Sequence, residues 1–203
     1  MKFTAKHPLI LASQSPRRKE LLALLGIPFD IVPSDIPEPD PQGFKSPVDY
    51  VRACAEQKAA DIAGSRPEAL VIGSDTVVVL GEEILLKPKD RQQASRYLRK
   101  LSGKAHEVIT AVCVQQGAEE VCFHESVKVK FYELPAAWID AYVDTEDPYD
   151  KAGAYGIQTV SGLFVEKIEG DYNAVVGLPV AKLLQQLTRA GYVKVEGAHD
   201  YAK

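Results

Sequence analysis

The chain has 203 residues, 46% hydrophobic and 26% charged, with a formal net charge of −4. That is ordinary for a globular protein with a sizeable core in one domain, or in one with two lobes. It excludes a generally basic protein built to coat a nucleic-acid polymer, and no apolar run reaches the roughly 20 residues that span a bilayer. The N-terminal stretch Met1-Lys2-Phe3-Thr4-Ala5-Lys6-His7 lacks the apolar core of a secretion signal. Cys54, Cys113 and Cys122 show no metal-ligand spacing. They read as core-filling free thiols in a reducing cytoplasm.

In chain order, Leu9-Ile10-Leu11-Ala12 predicts a buried strand, and Leu21, Leu22, Leu24 and Leu25 a helix closed by Gly26. Between them lies Ser13-Gln14-Ser15-Pro16-Arg17-Arg18. Ser15 suits the N-cap and Pro16 the first turn, where no N–H donor is needed. Two arginines at a helix start that follows a strand suit an anion such as phosphate. Phe29 to Pro33 reads as a short strand, and four prolines within Pro33–Pro41 forbid regular structure after it. Ser46-Pro47-Val48-Asp49 opens a helix to about Ala63, with Gly64 as its stop.

Ala69 to Gly73 predicts a second buried strand running into Ser74-Asp75-Thr76, with Val77 to Leu80 extended beyond it. A turn at Gly81-Glu82 and a return strand at Ile84-Leu85-Leu86 lead to Lys87-Pro88. Asp90 caps a helix carrying Ala94, Tyr97, Leu98 and Leu101. Val108–Val114 and Val121–Phe131 read as long strands joined around Gly117. Pro135 to Val143 is a helix, Asp144 to Gln158 irregular, Leu163 to Ile168 a strand, and Gly170-Asp171 a turn. The last helix runs from Pro179 to Ala190, and the chain is expected to fray after Gly191. Alternating strands and helices followed by clustered strands predict an α/β or α+β fold with a mixed sheet.

Chemistry-bearing residues recur at strand ends and in loops: cations at Arg17, Arg18, Lys58 and Lys87, acids at Glu38 and Asp75, and neutral hydrogen-bonding groups at Ser13, Thr76 and Gln158. A nucleoside triphosphate needs all three kinds: cations for its oxygens, carboxylates for a Mg²⁺, and a polar group for its base. Each residue alone also has a plain reading. Arg17, Arg18 and Lys58 fit solvated helix faces, Glu38 a solubilising loop, and Asp75 a local turn cap. Asp75 stands out, because a carboxylate between two apolar runs needs a partner, a metal or a sheet rim. The four histidines show neither paired ligand spacing nor a nearby phosphate-binding loop of P-loop type, so a zinc site is not expected.

Five blocks, Leu11–Arg18, Glu56-Gln57-Lys58-Ala59, Gly73-Ser74-Asp75-Thr76, Lys87-Pro88 and Lys151–Gln158, resemble the signatures of the Maf family, also called septum formation inhibitors, from Leu9 to about Leu187. The resemblance implies a nucleoside triphosphate pyrophosphatase that hydrolyses the α–β anhydride with a divalent cation, Mg²⁺ or Mn²⁺. It implies a curved mixed sheet with helices and two lobes around a deep cleft, similar to inosine triphosphate pyrophosphatase. One domain over 1–191, a tail over 192–203 and a homodimer are expected with it. Asp75 matches the catalytic proton acceptor and, with Glu38, the metal site. Ser13, Arg17, Lys58 and Lys87 match phosphate-binding positions. Arg18, Thr76 and Gln158 match the substrate-specificity positions, in the pattern of the branch acting on dTTP and UTP. Two positions depart from the family pattern: Leu86 replaces a glycine before Lys-Pro, and Pro37 replaces an acid before Glu38. Two other readings stand beside this one: a pyrophosphatase for a modified nucleotide, and a non-enzymatic restraint on cell division.

Overall fold

The computed structural model describes residues 1–196. Strands β1 (Phe3–Ala5) and β2 (Leu9–Leu11) precede helix α1 (Pro16–Ala23), followed by β3 (Phe29–Ile31) and α2 (Pro47–Ala63). Next come β4 (Leu70–Leu80), β5 (Glu83–Leu85), α3 (Arg91–Leu101) and the long hairpin of β6 (Ala105–Gln116) and β7 (Glu119–Phe131). Helix α4 (Ala136–Val143), β8 (Val165–Glu169), α5 (Tyr172–Val176), α6 (Val180–Arg189) and β9 (Val193–Val195) complete the chain. No helix among the described residues is long and apolar enough to cross a membrane.

The main sheet has the order β3-β2-β4-β6-β7-β8, with β5 paired to β4. Strand β2 pairs parallel with β3 on one side and β4 on the other, whereas β6, β7 and β8 pair antiparallel. This is the mixed, helix-flanked α/β sheet expected from the alternation of elements. The long strands serve two cores. One end of β4 and β6 gives Leu70, Ile72, Val112 and Val114 to a cluster with α1 and α6. The other end gives Val78 and Val108 to a cluster with α3 and α4. Helix α2 covers the opposite face through Val51, Cys54, Ala55 and Ala59. There Gly73 is obligatory, because a Cβ on it would sit 2.3 Å from the Ala55 carbonyl oxygen.

The capping logic of the sequence holds locally. Ser15 accepts from the Arg18 N–H, Ser46 from Asp49 and Asp90 from Gln93. Several expectations need correction. The chain does not fray directly after Gly191: β9 pairs antiparallel with β1, burying Val193. The part of the expected tail from 197 lies outside the described residues. Asp75 caps no turn, because β4 is unbroken through it. Residues 160–164 form a 3₁₀ turn ahead of a shorter β8, and α5 follows Asp171, which accepts from the Asn173 N–H. The three cysteines are not all free. Register places Cys113 opposite Cys122, and a 2.02 Å S–S bond joins them. Only Cys54 stays a thiol, buried under α2.

Candidate active site

The site lies where β4 loses its neighbour. On one edge of β4, β2 pairs with Leu70 to Ile72, and β5 pairs with Val78 to Leu80. Among the described residues the interval from Gly73 to Val77 has no strand partner on that edge, and Asp75 is at its centre. Because β2 ends there and α1 turns away, the site opens beyond the carboxyl ends of parallel strands, as crevices in α/β sheets do. The cleft holds about 420 Å³. Ser13, Arg17, Arg18, Glu38, Lys58, Asp75, Thr76 and Lys87 all line it.

Alternation along β4 sends Asp75 to one sheet face and Ser74 and Thr76 to the other. On the α2 face, Lys58 Nζ donates to Asp75 Oδ1 at 2.6 Å and to Glu38 Oε1 at 2.8 Å. The proline-rich loop brings Glu38 there, and α2 brings Lys58. Lys58 is therefore not a solvated helix residue; its side chain is 14% exposed. Burial raises the Asp75 carboxyl above its ordinary range, and the charges of Lys58 and Arg18 only partly oppose that. Burial acts the same way on Glu38, but there the Lys58 bond and the charges of Lys58, Lys87 and Arg18 win and lower it. For Lys58 burial is outweighed by Asp75 and Glu38, and its ammonium is held more firmly.

On the other face, Arg18 is fixed at three points: Nε to the Gly177 carbonyl at 2.9 Å, Nη2 to Thr76 Oγ1 at 3.2 Å and Nη1 to Ser13 Oγ at 3.3 Å. Thr76 Oγ1 also lies 2.9 Å from Thr110 Oγ1, directly across the β4–β6 ladder. Arg17 turns the other way and donates to Asp150 Oδ2 at 2.7 Å. The two neighbouring arginines therefore serve different walls. Gln158 does not join them: it is exposed, two residues past the cleft-lining Gly156, and outside the lining. The Leu86 departure is absorbed locally. Its carbonyl accepts from the Gly153 N–H at 3.2 Å, and its side chain packs under α2.

Sequence reasoning assigned no role to Asp150, Lys151, Tyr155 or His106. Lys151 is 7% exposed and donates to the Asp147 carbonyl, Asp147 Oδ1 and Asp150 Oδ1 at 2.6–3.0 Å. The acids at 144, 147 and 150 beside one lysine were the available signal. Tyr155 closes the apolar end of the cleft with Val78, Val108 and Val175. Its hydroxyl lies 2.8 Å from Nε2 of buried His106. A lone histidine in an apolar strand gave no hint of that.

Glu38 and Asp75, which both line the cleft, bond Lys58 through Oε1 and Oδ1, and among the described residues each carboxylate keeps a second oxygen clear of that bond. Two hard oxygen donors beside room for phosphate suit a Mg²⁺-class cation, which keeps several waters and takes one or two carboxylates.

A family model described as Maf-like protein matches residues 8–190. A dTTP/UTP pyrophosphatase of Bacillus cytotoxicus is 48% identical over 178 residues, 88% of this chain and 93% of the relative. A dTTP/UTP pyrophosphatase of Bacillus pumilus is 49% identical over 185 residues, 91% and 97% of the two chains. A solved nucleoside-triphosphatase / dITP/XTP pyrophosphatase of Mycobacterium abscessus aligns with a TM-score of 0.40 at 17% identity, over 63% of this chain and 76% of that one.

Proposed function

This chain belongs to the Maf family, and from that premise we propose that it hydrolyses dTTP and UTP to the nucleoside monophosphate and pyrophosphate. The observation that carries the reading is Lys58 bridging Glu38 and Asp75 at the open edge of β4. A binding module has no use for two carboxylates and a lysine held together at a sheet gap.

A divalent cation held by the free oxygens of Glu38 and Asp75 would polarise the phosphate and lower the pKa of a bound water. The residues do the rest. Asp75 accepts the proton of the attacking water, a role suited to a carboxyl whose proton affinity burial has raised. Lys58 orients both carboxylates before substrate arrives. Ser13, Arg17, Lys58 and Lys87 face the triphosphate, where preorganised charge is commonly the largest catalytic contribution. Arg18 and Thr76 select the base through fixed donors and acceptors, and Gln158, two residues past Gly156 and outside the lining, contributes least. A wrong base leaves such groups unpaired. A homodimer belongs to the same reading, with Tyr132, Trp138, Val160 and Leu163, all more than half exposed, as candidates for its interface.

The experiment is a panel of dTTP, UTP, CTP and GTP with Mg²⁺ or Mn²⁺, with products resolved. Pyrophosphate from dTTP and UTP is expected. Orthophosphate as the first product, or no turnover, overturns the reading. Preferred turnover of a modified nucleotide would move the substrate and keep the chemistry.

A further inference from the structure

We propose that Cys113, Cys122 and Glu56 form a thiol-gated site for a soft divalent cation of the zinc class, closed in the disulfide state and opened by reduction. Direct register places Cys122 opposite Cys113, and Cys113 opposite Gly73. Residues paired directly across strands point to the same face, so both sulfurs lie beneath α2. Helix α2 contributes Glu56, and one of its carboxylate oxygens and the two Sγ atoms all lie within 4.8 Å of one another. The sequence spacing of the cysteines hides this set, because the third ligand comes from a distant helix.

The chemistry of the set selects its ligand. Two thiolates and one carboxylate satisfy a d¹⁰ cation that prefers four ligands, and leave one position for water. Mg²⁺ and Mn²⁺ prefer oxygen, so this cluster and the Glu38–Asp75 pair draw on different cations. Access exists, because Cys122 and Glu56 are half-buried while Cys113 is buried. The recorded bond of Glu56 to Arg52 uses Oε1 at 2.7 Å, which leaves Oε2 for a cation. Cys54, buried under α2, is not one of the clustered ligand atoms.

The steps balance. A dithiol reductant gives two electrons and two protons to the Cys113–Cys122 bond and becomes a disulfide itself. The cation then displaces both thiol protons to solvent and takes the two sulfurs as thiolates. Occupied, the site ties α2 to the β6–β7 hairpin two cross-strand rows from that of Asp75 and Ala111.

The test uses the full chain, reduced, freed of reductant without air and titrated with Cd²⁺ as a spectroscopic probe. One equivalent is expected to bind with a sulfur-to-metal charge-transfer band and release of two protons. Zn²⁺ is expected to displace it, and excess Mg²⁺ is not. Oxidised protein should lack the band, Cys122→Ser should lose the one-equivalent step, and Glu56→Gln should keep the band with about tenfold weaker affinity or worse. Circular dichroism checks that both variants fold, and Glu56→Gln, at a half-exposed position, keeps the test open if Cys122→Ser does not. No band in reduced wild type, equal binding by oxidised protein, or unaltered binding by either variant overturns the proposal.

Discussion

Two lysines border the cleft, each held between two carboxylates, and they do different work. Lys58 joins Glu38 and Asp75, which arrive from a loop and a strand 20 and 17 positions away. Lys151 joins Asp147 and Asp150, both within four positions of it. Around Lys58 the carboxylate on the sheet is raised by burial and points into the cleft. Around Lys151, burial of Asp147 and Asp150 is outweighed by hydrogen bonds and by the charge of Lys151, joined at Asp150 by that of Arg17, and both are lowered. The first cluster keeps a carboxylate ready to take a proton. The second ties an irregular segment into shape. Similar ion pairs thus serve chemistry or architecture according to what else the carboxylates face.

The largest effect expected is on the Lys58 side. Asp75→Asn should lower turnover of dTTP by about 10²–10⁴-fold, the range for loss of a general base, with little change in melting temperature. Wild-type turnover by the folded variant would break the distinction. Lys151→Met should do the reverse and cost about 2 kcal/mol of stability, because it leaves partly buried Asp147 with the Tyr142 and Thr159 hydroxyls but without its cation. Chemical denaturation measures this, and an unchanged midpoint would erase the architectural role.

The His106–Tyr155 pair sharpens the comparison as a buried polar contact without charge. Burial lowers His106 to about 4, and its Nδ1 has no partner. Between that value and the unfolded value of about 6.5, the unfolded chain binds the extra proton. Stability from neutral His106 is therefore complete above about pH 6.5 and is lost as pH falls towards 4, by about 2–3 kcal/mol. A His106→Gln variant should show a flatter slope over that window, and an identical slope would remove His106 as the cause. Smaller still, Thr76→Val removes a hydroxyl that Arg18 uses. It should shift the dTTP-to-CTP rate ratio by roughly fivefold, about 1 kcal/mol for one hydrogen bond. Gln158→Ala should shift the same ratio least, because its side chain starts outside the cleft. A larger shift than at Thr76 would reverse that ranking.

Much of the cleft was legible before folding. Ser13, Arg17, Arg18, Glu38, Lys58, Asp75, Thr76 and Lys87 stood out as candidates by side-chain chemistry, took their roles from the resemblance to the Maf family, and all line it. Gln158 stood in a quoted block but lies outside the lining. Asp150, Lys151 and Tyr155 escaped assignment because their partners are set by a turn-rich segment with no period to read. The α5 helix and β9 escaped for a related reason: five and three residues carry too little periodicity to separate from a turn or a frayed end.

The sequence by itself determined the strands of the main sheet, the caps of α1, α2 and α3, and which residue types could meet a triphosphate. These depend on neighbours a few positions apart, where backbone geometry acts directly. Tertiary structure alone decided that β2 and β5 leave β4 open around Asp75, that two adjacent arginines face different walls, and that Cys113 meets Cys122 beside Glu56. Those outcomes depend on sheet register and on where α2 settles over Gly73, which are fixed by burial across the whole domain.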